Sequence, residues 1–349
     1  MNPAATLSTR FAANLPGRRA TRMALVTLLL CGLMAGCGGG GDGAGNNAAS
    51  SAPAAQPATP GSVAVQSPAF SASPWMTYYG SAQSMGSLAT AAATFRVMDI
   101  DLDPGMGNFS TTDVASLKNG GGNIVLSYLN LGACENYRSY WNTVPAGFKS
   151  CAENTAAQAG SYAGYPQETW MNPSNPDYQH LILDYVAPRL VAQGADGFYL
   201  DNLEIVEHGT STTNGPCDAA CAQGGLDLVR KLREKYPKLV IVMQNAASDV
   251  TRLGVTGGVP FPSLLDGIAH EEVYAPVYNA STEAQLLTWK SMALTPNGHA
   301  FWIATLDYVG SCGATSSAQA AYTRSRSNGF VPYVSDTSAG QKVLCYWNI

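Results

Sequence analysis

Apolar residues along the chain gather into eight short runs separated by stretches with helical spacing. The runs are Trp75–Gly80, Phe95–Asp101, Asn123–Leu131, Gly197–Leu203, Leu239–Asn245, Gly267–Tyr274, Ala300–Asp307 and Phe330–Ser335. Most are continuous rather than alternating, the pattern of strands covered on both faces. Between them, Pro176–Gln193 carries Tyr178, Leu181, Ile182, Tyr185 and Val186 at helical spacing. Asn175 suits its N-cap, Pro176 its first position and Gly194 its stop. Asp218–Lys235 sets Leu226, Val229 and Leu232 on one stripe, and Ser281–Leu294 and Ser316–Asn328 read as two more helices. Eight strands alternating with helices over about 275 residues predict an α/β protein with a single (β/α)8 barrel. An open doubly wound sheet is the alternative, but no Gly-x-Gly-x-x-Gly follows a strand.

The N-terminal segment reads as an address. Arg10, Arg18, Arg19 and Arg22 precede the apolar run Ala24–Leu33, and small residues follow up to Cys37. This is the layout of a secretory signal, and the apolar run is too short to span a bilayer well. Met34-Ala35-Gly36-Cys37 resembles a bacterial lipobox, which implies cleavage before Cys37 and lipidation of its thiol. Residues 38–73 are rich in Gly, Ala, Ser and Pro and nearly uncharged, so they read as a flexible tether. The expected organisation is a signal over 1–36, a lipidated Cys37 with linker over 37–73, and a folded domain over 74–349. The expected location is the bacterial cell envelope, outside the cytoplasm. Gly38, in place of the Asp that retains some lipoproteins inside, points to the outer membrane.

Charge changes the picture of partners. The chain carries 19 basic and 24 acidic residues. Four of those bases and none of the acids lie in residues 1–36, so the remaining 313 residues have a net charge of −9. An acidic surface argues against nucleic acid and leaves room for a cationic or neutral ligand. Six Cys remain beyond the signal and Cys37. An even number in an exported chain reads as disulfides. Neighbour pairing gives Cys134–Cys151, Cys217–Cys221 and Cys312–Cys345, among fifteen possible pairings. No second Cys or His pair accompanies Cys217-x-x-x-Cys221 at zinc-like spacing, so no metal is expected.

Barrel active sites lie at the C-terminal ends of the strands. Here those ends carry acids and an aromatic, Asp99 and Asp101, Tyr128, Asp201, Glu271 and Glu272, Asp307, together with the amide Asn245. Paired carboxyls on different strands suit glycoside hydrolysis, one protonating the leaving oxygen and the other attacking or activating water. Asp201 is the leading candidate, because it closes an apolar strand and shares a face with Gly197 and Tyr199. Asp196, near the start of that strand, reads as a structural turn residue. Glu271 and Glu272 face opposite ways, so only one points inward. Candidates for contact with sugar are Tyr79, Asp99, Tyr128, Arg138, Tyr199, Asn245 and Trp302. A carboxylate at Asp99 capping the next helix gives the same pattern.

Several stretches together resemble glycoside hydrolase family 114, the endo-α-1,4-polygalactosaminidase family. They are Trp75–Gly80, Ser127–Gly132 with Glu135–Trp141, Gly194–Leu203, Gln244-Asn245 and Asp266–Glu271. The resemblance covers roughly residues 74–336. It implies a (β/α)8 barrel that cleaves α-1,4-linked galactosamine polymers with retention and without a cofactor. It also implies Asp201 as nucleophile and Glu271, rather than Glu272, as general acid/base. Ala133 stands where family members often carry Glu, and the segment after strand four carries an insertion with Cys217 and Cys221.

The expectation is therefore a monomeric, lipid-anchored, endo-acting glycoside hydrolase. Two alternatives are a noncatalytic polysaccharide-binding lipoprotein and a hydrolase of another α-linked glycan.

Overall fold

The computed structural model describes residues 74–292, 301–336 and 340–349. The expected signal, Cys37 and the linker lie outside the described residues, as does the end of the Ser281–Leu294 run.

Eight parallel strands form the centre: β1 (Trp75–Tyr78), β2 (Val97–Ile100), β3 (Ile124–Asn130), β4 (Gly197–Asp201), β5 (Val240–Gln244), β6 (Gly267–Glu271), β7 (Trp302–Tyr308) and β8 (Val331–Ser335). Each pairs with the next in chain order. Across the seam between β1 and β8, Trp75 Nε1 donates to the Val331 carbonyl at 2.9 Å. The sheet has no point at which strand order reverses, so the barrel stands and the doubly wound alternative falls.

Inside the barrel, Trp75 packs on Tyr199, Trp302 and Tyr333 with ring centroids 6.2, 5.3 and 6.1 Å apart. All four are buried. Gly267 makes room for this plug: a Cβ there would sit 2.6 Å from the Trp302 carbonyl oxygen. The aromatic plug fills the interior below the rim, so only the C-terminal strand ends remain free to form a site.

Six strands stop earlier than their apolar runs suggest, and three of them stop at a left-handed residue. Asn202, Asn245 and Glu272, each directly after β4, β5 and β6, have φ of 59°, 62° and 53°. This left-handed turn ends extended pairing, and Asn tolerates it better than most residues. Pro176–Gln193 also departs from a single regular helix. It consists of Pro176–His180, a π-type turn over Leu181–Val186, and Ala187–Ala192. Pro188 has no N–H to offer the Asp184 carbonyl, and its ring would collide with it in a regular helix; the wider turn relieves both. The Asn175 cap holds, accepting the Tyr178 N–H at 3.0 Å.

The sequence reading did not anticipate the excursion between β3 and β4. It folds as an antiparallel sheet of Ala133–Glu135, Gln158–Ser161 and Glu168–Met171, with the last strand central. Cys134–Cys151 ties this sheet to the loop beside it, and Cys217–Cys221 and Cys312–Cys345 complete the neighbour pairing.

Candidate active site

The strand ends and the added sheet enclose a cavity of about 930 Å³. Asp201 and Glu271 both line it, as do Tyr79, Tyr128, Arg138 and Asn245. Asp201, the last residue of β4, accepts the Tyr128 hydroxyl proton on Oδ2 at 2.8 Å. Burial first, and then the charge of Glu271, push its proton affinity up to about 7. The Tyr128 hydroxyl and the Asn202 N–H pull the other way.

Glu271, the last residue of β6, is held at both oxygens. Asn245 Nδ2 donates to Oε2 at 2.9 Å. Tyr308 donates its hydroxyl proton to Oε1, and Gln341 Nε2 reaches the same oxygen at 3.3 Å. Glu272 is exposed and does not line the cavity. The one-residue choice between the two glutamates is thus made by the left-handed turn at Glu272, which carries its side chain away.

Burial of Asp201 in a cleft it shares with a second carboxyl opposes its ionisation. The Tyr128 hydroxyl and the Asn202 N–H favour the Asp201 carboxylate against that opposition. The arrangement can therefore present one acid and one carboxylate at once.

Other sequence candidates fall in different places. Asp99 is fully buried beneath the floor, accepting from Thr77 Oγ1 at 3.0 Å and the Tyr79 hydroxyl at 2.6 Å. It shapes the cleft through Tyr79 rather than by touching sugar. Arg138 borders the cavity, but its guanidinium is buried against acids: Nη1 lies 2.9 Å from each Asp101 oxygen and Nη2 lies 3.3 Å from Glu135 Oε1. Tyr199 and Trp302 are corrections. Both belong to the buried plug, and Trp302 opens its strand at the end opposite the rim, so neither reaches the cleft. Aromatic type and strand membership suggested them, but depth along the strand decided otherwise. Asp196 is structural as expected, accepting the Val125 N–H at 3.0 Å and pairing with Lys118 at 2.7 Å. Among the described residues no group of three or more His, Cys, Asp or Glu is placed to hold a metal ion.

Sequence reasoning missed Glu168, Glu204, Tyr162 and Tyr165, all of which line the cavity. Glu168 accepts from Asn202 Nδ2 at 3.1 Å and Asn130 Nδ2 at 3.5 Å. Burial, with the charges of Glu135 and Asp201, raises its proton affinity to about 8. Burial and the Asp201 charge also raise that of Glu204 well above the ordinary carboxyl range. Tyr165 is 44% exposed over the cleft, and Tyr162 stacks on Trp170 with centroids 4.0 Å apart. Strands of three or four residues leave no readable periodicity, so Glu168 had no signal of its own. The available signal was Cys134 with Cys151, whose pairing implies a folded excursion after β3.

The family model described as glycoside-hydrolase family GH114 matches residues 53–349, so the chain belongs to that family. A protein of Deinococcus radiodurans described as uncharacterized is 26% identical over 239 residues, which are 64% of this chain and 67% of that one. Among solved structures, the glycoside hydrolase domain of PelA from Pseudomonas aeruginosa has a TM-score of 0.57 at 16% identity, covering 78% of this chain and 97% of that domain. Aspergillus fumigatus Ega3, solved in complex with galactosamine, has a TM-score of 0.55 at 16% identity, covering 80% of this chain and 95% of that one. At these identities the two structures share the fold with this chain.

Proposed function

We propose that this member of glycoside-hydrolase family GH114 cleaves internal α-1,4 bonds in a galactosamine-containing polysaccharide by double displacement. Asp201 attacks the anomeric carbon. Glu271 protonates the leaving oxygen and then deprotonates the water that releases the glycosyl intermediate. The observation that carries this reading is the pairing of Asp201 and Glu271 across one cleft, each held by its own donors. Burial favours the neutral form of Glu168 and Glu204, which leaves them as hydrogen-bonding carboxyls for sugar hydroxyls, while the net charge of −9 beyond residue 36 suits an ammonium-bearing polymer. Exposed Tyr165 and Tyr137 offer apolar faces to further rings, as an endo-acting cleft requires. Ega3 was solved with galactosamine, which agrees with an amino-sugar polymer here.

The test is product release from de-N-acetylated and acetylated α-1,4-galactosamine oligomers, with the anomer formed first identified by NMR. Shorter oligomers, appearing first as the α anomer and absent with Asp201→Asn or Glu271→Gln, are the expected result. A first-formed β anomer would mean inversion, and binding without product would move the reading to a polysaccharide-binding protein.

The same reading places the chain in the cell envelope, carried by lipid on Cys37. Metabolic palmitate labelling that is lost in Cys37→Ser is the expected outcome, and labelling of neither form would remove the anchor.

A further inference from the structure

Gln341 reaches the cleft from the C-terminal tail, a segment outside the eight strands. Its side chain is buried. Nε2 donates to the Tyr308 hydroxyl at 2.5 Å and lies 3.3 Å from Glu271 Oε1. Tyr308 donates to that same glutamate oxygen, so the three groups close a triangle around one carboxyl atom. Gln341 Oε1 is buried and accepts no hydrogen bond among the described residues. The backbone φ of Gln341 is 39°, in the left-handed region that favours Gly.

The tail is anchored on both sides of this contact. The Gln341 carbonyl accepts the Tyr79 N–H at 2.8 Å. Further on, the Cys345 N–H donates to the Tyr333 hydroxyl at 3.1 Å, and Trp347 Nε1 donates to the Val334 carbonyl at 2.6 Å. Cys345 is disulfide-bonded to Cys312, which follows β7, the strand that ends in Tyr308. A strained backbone and a half-paired buried amide both cost stability, and neither serves the barrel. They are explained if the fold holds this amide where the carboxyl needs it.

We propose that Gln341 is a positioning residue for Glu271, acting both directly and through Tyr308 so that one network serves both protonation states of that carboxyl. This rests on the reading of Glu271 as the acid/base. With Glu271 ionised, Gln341 donates to the Tyr308 oxygen and Tyr308 donates to the carboxylate, as in the structure. With Glu271 protonated, its O–H donates to the Tyr308 oxygen. Tyr308 then turns its own proton toward the Gln341 amide, whose half-turn presents Oε1 in place of Nε2. No proton leaves the network; only donors and acceptors exchange. Each orientation leaves one amide atom unpaired, and only the ionised state adds the direct Nε2 contact to Oε1, so the amide favours the carboxylate without locking Glu271 into it. A group that must give and retake a proton in every cycle needs that balance.

The experiment compares the full chain with Gln341→Ala and with Gln341→Met, which keeps the volume, on de-N-acetylated α-1,4-galactosamine oligomers. Around Glu271 stand Asp201 on β4, Glu204 after it, Tyr165 in the turn between two strands of the added sheet and Tyr308 on β7, with Tyr199 in the plug beneath and His270 beside it. Lys342 lines the same cavity. None of these is altered in either variant. The expected result is a fall in kcat of about ten- to a hundredfold, part of what general acid–base catalysis supplies. KM stays within about threefold, since the amide faces the carboxyl rather than the sugar. The basic limb of the kcat/KM profile moves to higher pH, because the carboxylate has lost a donor. An unmoved limb with unchanged kcat overturns the proposal, as does a rise in KM alone. If the unaltered chain releases no product from these oligomers, it is the substrate reading that fails. The inference is then read from the 13C-carboxyl titration of Glu271, identified by its loss in Glu271→Gln. A higher midpoint in both Gln341 variants supports it, and superimposable curves overturn it.

Discussion

Asn245 and Glu271 are bonded in both directions: Asn245 Nδ2 donates to Glu271 Oε2 at 2.9 Å, and the Glu271 N–H donates to Asn245 Oδ1 at 3.0 Å. The backbone bond occupies the amide oxygen, which leaves only the NH₂ to face the carboxyl. Asn245→Asp keeps the left-handed turn but replaces this donor with a charge. The Glu271 carboxylate is then opposed instead of stabilised. We expect kcat to fall by about a hundredfold, with the basic limb of its pH profile moved upward, in steady-state kinetics.

Tyr128→Phe removes the hydroxyl that favours the Asp201 carboxylate. Asp201, already raised to about 7 by burial and by Glu271, rises further. Activity that needs ionised Asp201 grows as pH passes that value, so the acid limb of kcat/KM moves to higher pH. The loss is largest near pH 5–6, about tenfold or more, and smaller above pH 8.

Glu168 couples the site to stability. In the folded chain it holds its proton up to about pH 8, whereas the unfolded chain releases it near the ordinary value of 4.5. Between those values the folded state binds more protons, so this group's contribution is intact below about pH 4.5 and is lost as pH rises toward 8. Glu168→Gln removes that loss. Calorimetry should show no gain in Tm at pH 4 and a gain at pH 8 of about 2–4 °C for each kcal/mol of that loss removed.

Arg138 neutralises Asp101 and Glu135 where all three are buried, and Arg189 Nη2 takes the other side of the cluster at Asp103, 3.2 Å away. Arg138→Met keeps the bulk and strands the acids. Denaturant unfolding should show a loss of about 3–5 kcal/mol at pH 8. The loss should shrink at pH 5, where the stranded acids can take up protons. A purely substrate-contacting Arg138 would instead change KM and leave unfolding alone.

Gly132 shows how tightly the wall is set against β4. A Cβ at this position would lie 1.8 Å from the Asn202 carbonyl oxygen, which belongs to the backbone and cannot rotate away. Gly132→Ala should shift Asn202 and with it the donors to Asp201 and Glu168, lowering both Tm and kcat. Unchanged kcat with lowered Tm would separate the wall from the chemistry.

How much of this was legible beforehand differs by element. All eight barrel strands were readable, because a strand covered on both faces writes its burial directly into a continuous apolar run. Their ends were less so: Asn202, Asn245 and Glu272 turn left-handed for reasons set by neighbouring strands. Asp201 and Glu271 were readable as charges closing apolar runs, which is costly anywhere but at a rim. Tyr199 and Trp302 were misplaced because side-chain alternation gives a face and not a depth.

The sequence by itself determined the barrel and the carboxyls at its strand ends, since local apolar pattern carries that information; it left the cysteine pairing open among fifteen, with neighbour pairing the simplest. The strand pattern left Glu271 and Glu272 open, the family resemblance implied Glu271, and the tertiary structure puts Glu271 on the cleft and Glu272 outside it. Tertiary structure also brought in Glu168 from the added sheet, 33 residues before Asp201, and Gln341 from the tail, 70 residues after Glu271. Such groups come from short or irregular segments with no periodicity of their own. Their placement depends on where the rest of the chain has already packed, and only the folded molecule holds that information.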